Sequence, residues 1–392
     1  MKISFIIPSR NNLKYLKWCY DSIKKNQGNH EVEICVADDA STDGTWTWCQ
    51  ETMMKDSNFK AIRNDGPDRQ GLVILNDKLI NETASHDICM VFHADMYLCP
   101  ESLDAIAKHI KPKTIVSLTR IEPPLHPEGV EKIVEDFGVE PEEFKEDELL
   151  RWLVGFKQGD KIPDTKGIFA PWAFYKKEFQ AIGGHDVLFA PQSKEDSDIF
   201  NRFQLNDIDF IQTWEGFVYH MTSRGSRFNP YSGGAPGKNS EEWIGTTTKN
   251  MRNFIRKWGH AVSHDEFMKP IIPPKYDIGF IIKNATLQLI EVLEPWCSSV
   301  YCDIDVTEYI KKEDTLYDLE DKFYTLDDVV DNEIKVEINA RNFHQQDFQY
   351  IQQLSEILKD SGALGAFDLG NLMITINDLI TYEKELIICK KQ

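Results

Sequence analysis

The alternation of short apolar runs with amphipathic stretches over residues 1–119 is the feature that most constrains the fold. KISFIIPS, VEICVADD and DICMVFHAD have the length and composition of buried strands, whereas LKYLKWCYDSIKK has the apolar spacing of a helix. Strand, helix and strand in this repeat predict parallel strands joined by crossover helices. We therefore expect an α/β fold with a mostly parallel sheet, in which ligands bind at the carboxyl ends of the strands.

The remaining chain changes pattern twice. Residues 123–164 are rich in Glu, Pro and Lys around amphipathic pieces such as VEKIVEDF and EDELLRWLVGF, and this composition predicts a helical insertion. Strand and helix patterns return after the IIPPK break. We therefore expect a first domain over residues 1–270 and a smaller C-terminal α/β domain over residues 275–392, to which the sequence assigns no role.

Composition excludes several classes of protein. The 392 residues carry 64 acidic and 44 basic side chains, and the net charge of −20 does not favour binding to nucleic acid or to an anionic membrane. Eight cysteines without a CxxC pair indicate reduced thiols. No apolar run reaches the roughly 18 residues that cross a bilayer, and the N-terminus does not resemble a signal peptide. The expectation is a soluble, cytoplasmic protein without an integral membrane segment.

Two strand ends carry polar residues suited to a ligand. Asp38 and Asp39 end one strand, where a carboxylate accepts hydrogen bonds from a ribose or a base, or forms a turn and helix cap. His93 and Asp95 follow another strand, and alternation places them on one face. That pair suits a divalent ion that bridges phosphates, although a strand can also simply end in polar residues.

A third cluster is acidic and opens a predicted helix. KEDSDIFNRF places Glu195, Asp196 and Asp198 in the first turn. Negative charge there is favourable to the helix dipole, which is a sufficient structural reason for the cluster. The functional interpretation is a general base that takes the proton from an attacking hydroxyl.

A fourth cluster combines a histidine with arginines. His220 ends the strand pattern DFIQTWEGFVYH, and Arg224 and Arg227 follow in a stretch rich in Gly, Ser and Pro. The histidine is a candidate metal ligand. The arginines are candidates to close over a diphosphate on a mobile loop, which we expect to span residues 223–239.

Taken in chain order, these clusters resemble the family 2 glycosyltransferases of the GT-A fold, which is Rossmann-like. The matching stretches are FIIPSRNN, VADDASTDGT, GPDRQGLVILND, HAD at the DxD position of the family, IGGHDVLFAPQSKEDSDIFNRF and NFIRKWG. The resemblance extends from Met1 to about Gly259. Each motif alone is weak, but six in the correct order are specific.

The resemblance implies inverting, metal-assisted transfer of a hexosyl or N-acetylhexosaminyl group from a UDP- or GDP-linked sugar to a hydroxyl of a carbohydrate acceptor, for glycan biosynthesis. The implied metal is Mn²⁺ or Mg²⁺, with Asp95 and His220 as ligands, and the implied base is Asp196, with Glu195 as its competitor. The residues implied to bind the sugar nucleotide are Pro8, Arg10, Asp38, Asp39, Arg69, His93, Arg224 and Arg227. Those implied on the acceptor side are Gly183, Gly184, Asp186 and Trp172, the last of which is also a candidate for the core.

One departure from the family pattern keeps other functions open. His93 replaces the first carboxylate of DxD, so it either joins the metal ligands or hydrogen-bonds the sugar. A catalytically weak sugar-nucleotide-binding protein of the same fold is one alternative. A sugar-1-phosphate nucleotidyltransferase is another, although the segment PSRNNLKYL after the first strand has none of the glycines expected in the phosphate-binding loop of that class.

Overall fold

The computed structural model describes residues 1–225 and 227–389, which form two compact units. The first unit contains residues 1–246, 264–270 and Cys389, and the second contains residues 247–263 and 271–388. This division differs from the expected boundary near residue 270. Residues 247–263 belong to the second unit because their side chains pack there, as Ile255 does in its apolar core and Arg256 does against Glu294.

The first unit is a mixed α/β unit. Its strands are β1 (Lys2–Ser9), β2 (Glu31–Asp39), β3 (Phe59–Asn64), β4 (Ile88–Val91), β5 (Met96–Leu98), β6 (Thr114–Glu122), β7 (Lys132–Val134), β8 (Trp172–Tyr175) and β9 (Asp209–His220). Its helices are α1 (Leu13–Asn26), α2 (Thr45–Lys55), α3 (Gly71–Lys78), α4 (Ser102–His109), α5 (Glu146–Gln158), α6 (Lys176–Ala181) and α7 (Glu195–Leu205), followed by α8 (Glu241–Trp258), which ends in the second unit.

The strands of the first unit form one sheet. Within the described residues its order is β3-β2-β1-β4-β8-β6-β9-β5, with β7 paired to β6. The predicted parallel pairing is confirmed for β1 to β4, whereas β8 runs antiparallel to both of its neighbours, β4 and β6. The carboxyl ends of β1, β2 and β4 therefore meet at one edge, as expected for an α/β sheet.

The insertion at 123–164 is only partly helical. EDELLRWLVGF forms most of α5, which buries Leu149 and Leu153. The predicted amphipathic helix in VEKIVEDF is wrong, because Lys132–Val134 instead extends the sheet beside β6. Tertiary pairing outweighs the weak local helical preference of this short segment.

The second unit is also α/β. Its elements after α8 are β10 (Ile278–Lys283), α9 (Leu287–Leu293), β11 (Ser299–Cys302), α10 (Thr307–Glu313), β12 (Phe323–Thr325), β13 (Ile334–Asn339), α11 (Gln345–Gln352), α12 (Leu354–Ser361), β14 (Gly365–Leu369) and β15 (Leu372–Ile376). Its sheet has the order β12-β11-β10-β13-β15-β14. Alternation in β13 directs Ile334, Val336 and Ile338 into the core, so the expected α/β character of this region is confirmed.

The cysteines and the lengths of the helices also bear on the expectations from the sequence. All eight cysteines are free thiols, and every one except Cys389 is buried. Among residues 1–225 and 227–389, none of the helices combines the length and the apolar character that a bilayer crossing requires.

Candidate functional site

A pocket of about 140 Å³ opens at the carboxyl ends of β1, β2 and β4. Of the residues singled out from the sequence, seven line it: Pro8, Arg10, Asp39, Arg69, His93, Asp95 and His220. Its other lining residues were not singled out from the sequence; they are Ser9, Asn12, Gly71, Leu72, Leu75, Ala94, Gln192, Ser223 and Gly225. The pocket thus lies where the strand-end rule places it, and several of its walls come from loops that local sequence patterns do not identify.

His93, Asp95 and His220 form a candidate metal site on the wall of this pocket. One ligand atom from each residue lies within 4.8 Å of the others, and Asp95 Oδ1 is 3.5 Å from His220 Nε2. The turn after β4 carries the first two residues. Strand β5 then pairs with β9 so that Met96 lies opposite His220, which brings the distant histidine to the turn.

Glu122 orients His220 from behind and was missed in the sequence. Its Oε1 is 2.9 Å from His220 Nδ1, and its Oε2 accepts a hydrogen bond from Lys132 at 3.1 Å. Parallel pairing of β6 with β9 places these two strand ends side by side. A carboxylate that faces Nδ1 keeps a proton on that nitrogen and leaves Nε2 available to a metal. The position of Glu122 at the end of a strand was the only sequence signal for this role.

The charges around the three residues of the candidate metal site, His93, Asp95 and His220 (the triad), partly compensate one another. Burial raises the pKa of Asp95, but the charge and hydrogen bond of His220, together with the Arg224 N–H, outweigh it and hold that pKa well below its usual range. Burial lowers the pKa of His220, yet Asp95 and Glu122 raise it to about 9. His220 therefore carries a proton at neutral pH that a metal at Nε2 must displace, and metal affinity should rise with pH.

His93 differs from His220 in protonation. Burial is the main cause that lowers the pKa of His93, and the charge of His220 adds to it, whereas Asp95 opposes the shift. The ring is therefore neutral at neutral pH, which is the form that binds a metal. Its environment is compatible with a ligand role at the position where the family pattern has a carboxylate.

Neither arginine after His220 lines the pocket. Only the backbone N–H of Arg224 reaches the site, where it donates to Asp95 Oδ2 at 2.7 Å, while its side chain is 1% exposed and donates to Val139 O. Arg227 lies over the ring of Trp243 at 4.3 Å. Packing directs both side chains away from the pocket here, and their closure over a bound diphosphate stays a prediction. Ser226, within the predicted mobile loop, lies outside the described residues.

The two aspartates at the end of β2 have different surroundings. Asp39 is buried and accepts hydrogen bonds from the side chain of Asn64 and the backbone N–H groups of Gln70 and Gly71, at 2.7 to 3.0 Å. Asp38 does not line the pocket and accepts the Ser41 N–H, which corresponds to the turn interpretation. Asp39 therefore fastens the loop that carries Arg69.

Close packing explains the glycine at the start of α3. Gly71 has φ +76°, and a Cβ there would lie 2.1 Å from the carbonyl oxygen of Pro191. The tight contact brings the α3 start against the segment that carries Gln192, and Arg69 Nη2 donates to Gln192 Oε1 at 2.6 Å. Two loops far apart in sequence are thus joined at the pocket wall.

The first two carboxylates of α7, Glu195 and Asp196, have different surroundings. Glu195 is 6% exposed, and its Oε2 has no hydrogen-bond partner within the described residues. Burial and the neighbouring Asp196 raise the pKa of Glu195 to about 8. Asp196 is half-buried, and its charge acts on His93 at the metal site. Consecutive helical side chains diverge by about 100°, so the two carboxylates face different directions.

The raised pKa of Glu195 predicts a pH-dependent stability. Between about pH 4.3, the ordinary value for the unfolded chain, and pH 8, the folded state holds a proton that the unfolded state releases. The stabilisation that this proton provides is therefore lost as pH rises, by roughly 1 kcal/mol of unfolding free energy per pH unit. Glu195→Gln should abolish this pH dependence. Urea unfolding at pH 5, 6.5 and 8 should show that the free energy of unfolding of Glu195→Gln increases with pH relative to that of wild type. The same pH dependence in both proteins would contradict a raised pKa of Glu195.

The residues expected on the acceptor side do not line the pocket. Trp172 is completely buried in β8, which agrees with the core alternative and not with a sugar-stacking surface. Gly183 and Gly184 have positive φ, and a Cβ on Gly184 would lie 2.2 Å from Asp77. Asp186 caps the short helical turn that follows, through the N–H of Leu188. These residues shape the backbone before α7.

Asp198, the third carboxylate of the acidic cluster, belongs to the core. Its Oδ2 accepts a hydrogen bond from Arg202 Nε at 2.8 Å, and neither side chain is exposed. Arg202 also donates to the carbonyl of Ile182. The ion pair lies within α7 and holds the Arg202 side chain that ties the helix to Ile182, which gives Asp198 a structural role.

Comparisons with known proteins identify similarity over part of the chain. Residues 4–159 match the profile described as Glycosyl transferase family 2. An abequosyltransferase, RfbV, of Salmonella typhimurium strain LT2 is 34% identical over 116 residues, which make up 28% of this chain. The match spans 33% of that relative, about a third of its length.

Solved structures show a partial likeness. The mannosyltransferase PcManGT from Pyrobaculum calidifontis, in complex with GDP-Man and Mn²⁺, is 16% identical, with 56% of each chain covered and a TM-score of 0.40. S. aureus TarS 1-349 in complex with UDP is 18% identical, covering 56% of this chain and 60% of that one, with a TM-score of 0.41. GalNAc-T7 with UDP, GalNAc and Mn²⁺ is 14% identical, covering 66% of this chain and 48% of that one, with a TM-score of 0.46.

Proposed function

We propose that this protein is a GT-A glycosyltransferase that moves a sugar from a UDP- or GDP-linked donor to a hydroxyl of a carbohydrate acceptor, with inversion and with the help of a divalent metal. The observation that carries the proposal is the convergence on one pocket of His93, Asp95 and His220 with the cations Arg10 and Arg69. The match of residues 4–159 to Glycosyl transferase family 2 supports sugar transfer. A hexosyl or N-acetylhexosaminyl donor is part of the proposal.

The residues of the triad fit a divalent ion. His220 Nε2 is a buried polar atom without a hydrogen-bond partner within the described residues, and it faces Asp95. Two imidazoles and one carboxylate suit a first-row transition ion such as Mn²⁺ better than Mg²⁺, which prefers oxygen ligands. When bound, the ion would neutralise the negative charge of the departing diphosphate.

The chain's own residues supply the other parts of the reaction. Arg10 and Arg69 concentrate positive charge in a protein of net charge −20, where a diphosphate would otherwise be repelled. Pro8 borders the nucleotide, and Asp39 acts by holding the loop of Arg69 in place. Glu195 carries a proton below about pH 8, which favours Asp196 as the base that accepts the proton of the acceptor hydroxyl.

The test is titration calorimetry with UDP and GDP, each with and without Mn²⁺, followed by donor hydrolysis with a panel of UDP- and GDP-sugars. We expect Mn²⁺ to strengthen binding of one of the two nucleotides, and the matching donor to be hydrolysed slowly without acceptor. Absence of binding to both nucleotides would contradict the proposal.

A sugar-nucleotide-binding protein without catalysis is the second candidate, and the histidine at position 93 favours it because a neutral imidazole replaces a carboxylate. The two candidates share the pocket and differ in chemistry. Metal-dependent nucleotide binding without donor hydrolysis or sugar transfer would select the binding protein.

A further inference from the structure

The two cations of the pocket are already engaged by a carboxylate of the same unit. Glu242, in the first turn of α8, forms an ion pair with Arg69, and its Oε1 is 3.8 Å from Arg10 Nη1. The other oxygen of Glu242 accepts a hydrogen bond from Ser232 at 3.1 Å. One carboxylate thus spans the two guanidinium groups that line the pocket.

The two arginines and Glu242 differ in hydrogen bonding and in exposure to solvent. The Nε atoms of Arg10 and Arg69 are buried and have no hydrogen-bond partner within the described residues. The Arg69 side chain is only 14% exposed, whereas that of Glu242 is 41% exposed. Arg69 is therefore shielded, with Asp39 Oδ2 at 3.8 Å from its Nε, whereas Arg10, at 33% exposed, and Glu242 both have access to solvent.

We propose that Glu242 is an internal competitor for the anionic part of the donor, and that it sets the affinity of the pocket for a diphosphate. The inference rests on the proposed function. A diphosphate held by Arg10 and Arg69 would lie against Glu242, and like charges at contact distance repel strongly in a partly buried site. Binding therefore displaces the carboxylate from the arginines.

The same exchange gives Glu242 a role after transfer. Arginines that held the nucleoside diphosphate product return to Glu242, so both guanidinium groups regain this carboxylate partner, which for Arg69 adds to Asp39 at 3.8 Å from its Nε. Glu242 does not touch the reacting atoms in this scheme. It acts through Arg10 and Arg69, and its effect falls on binding and release.

The test compares Glu242→Gln with the control Glu241→Gln, which removes the same charge from the adjacent, exposed position of α8. Dissociation constants are measured by calorimetry for pyrophosphate in metal-free buffer, and for UDP and GDP both with and without Mn²⁺. We expect Glu242→Gln to bind pyrophosphate and the preferred nucleotide about 3- to 10-fold more tightly than wild type, the effect of one partly exposed ion pair. The control should match wild type.

The probes separate two kinds of failure. Tighter pyrophosphate binding by Glu242→Gln, with no nucleotide binding by any variant, would support the competition and contradict the proposed function. Nucleotide binding by wild type with unchanged or weaker pyrophosphate and nucleotide binding by a folded Glu242→Gln would overturn the competition alone. An equal gain in Glu241→Gln would also overturn it, because the effect would then come from net charge.

Discussion

Asp196→Asn is expected to lower turnover by a factor on the order of 10² to 10⁴ while the affinity for nucleoside diphosphate stays nearly constant. Asn preserves the size and the hydrogen bonding of the side chain but removes the proton acceptor. Asp196 is half-buried, and its charge acts on His93 beside the pocket, which supports the proposal of this carboxylate as the base. Turnover is measured with the donor identified in the hydrolysis panel, and affinity by calorimetry.

Glu195→Gln is the matched control for that experiment. Glu195 is buried and carries a proton at neutral pH, so replacing it with the neutral amide should change turnover much less. A dead Glu195→Gln together with an active Asp196→Asn would move the base by one residue. If both variants remain active, the acidic start of α7 has only a structural role.

Asp95→Asn is expected to abolish the stimulation of nucleotide binding by Mn²⁺. The amide can still accept the Arg224 N–H that Asp95 Oδ2 accepts now, so the loop after β9 should keep its conformation. The substitution removes the carboxylate from the three candidate metal ligands, and a neutral amide is a weak ligand for Mn²⁺. Calorimetry with and without Mn²⁺ measures the effect, and thermal unfolding verifies the fold.

His220→Ala provides the graded comparison for the metal site. It removes one imidazole and leaves Asp95 and His93, so Mn²⁺ stimulation should be weakened but not lost. Undiminished stimulation in Asp95→Asn would exclude the proposed site. No effect of His220→Ala would show that the ligand set is different.

Local sequence by itself determined the α/β class and the order of the motifs. Apolar runs identified β1, β2, β4 and β9, and helical spacing identified α1 and α7, because side-chain burial repeats with the period of each element. The strand-end rule then located Asp39, His93 and Asp95 on the pocket, since carboxyl ends of neighbouring parallel strands meet at one edge.

Tertiary structure decided which side chains face the pocket. The register of β5 on β9 brings His220 to Asp95, and the pairing of β6 with β9 brings Glu122 behind it, neither of which is encoded in local spacing. Packing buries Trp172 in the core and turns the Arg224 side chain away from the site. Sequence periodicity specifies the face that a residue occupies on its own element, whereas the side chains opposite that face depend on long-range strand register and packing.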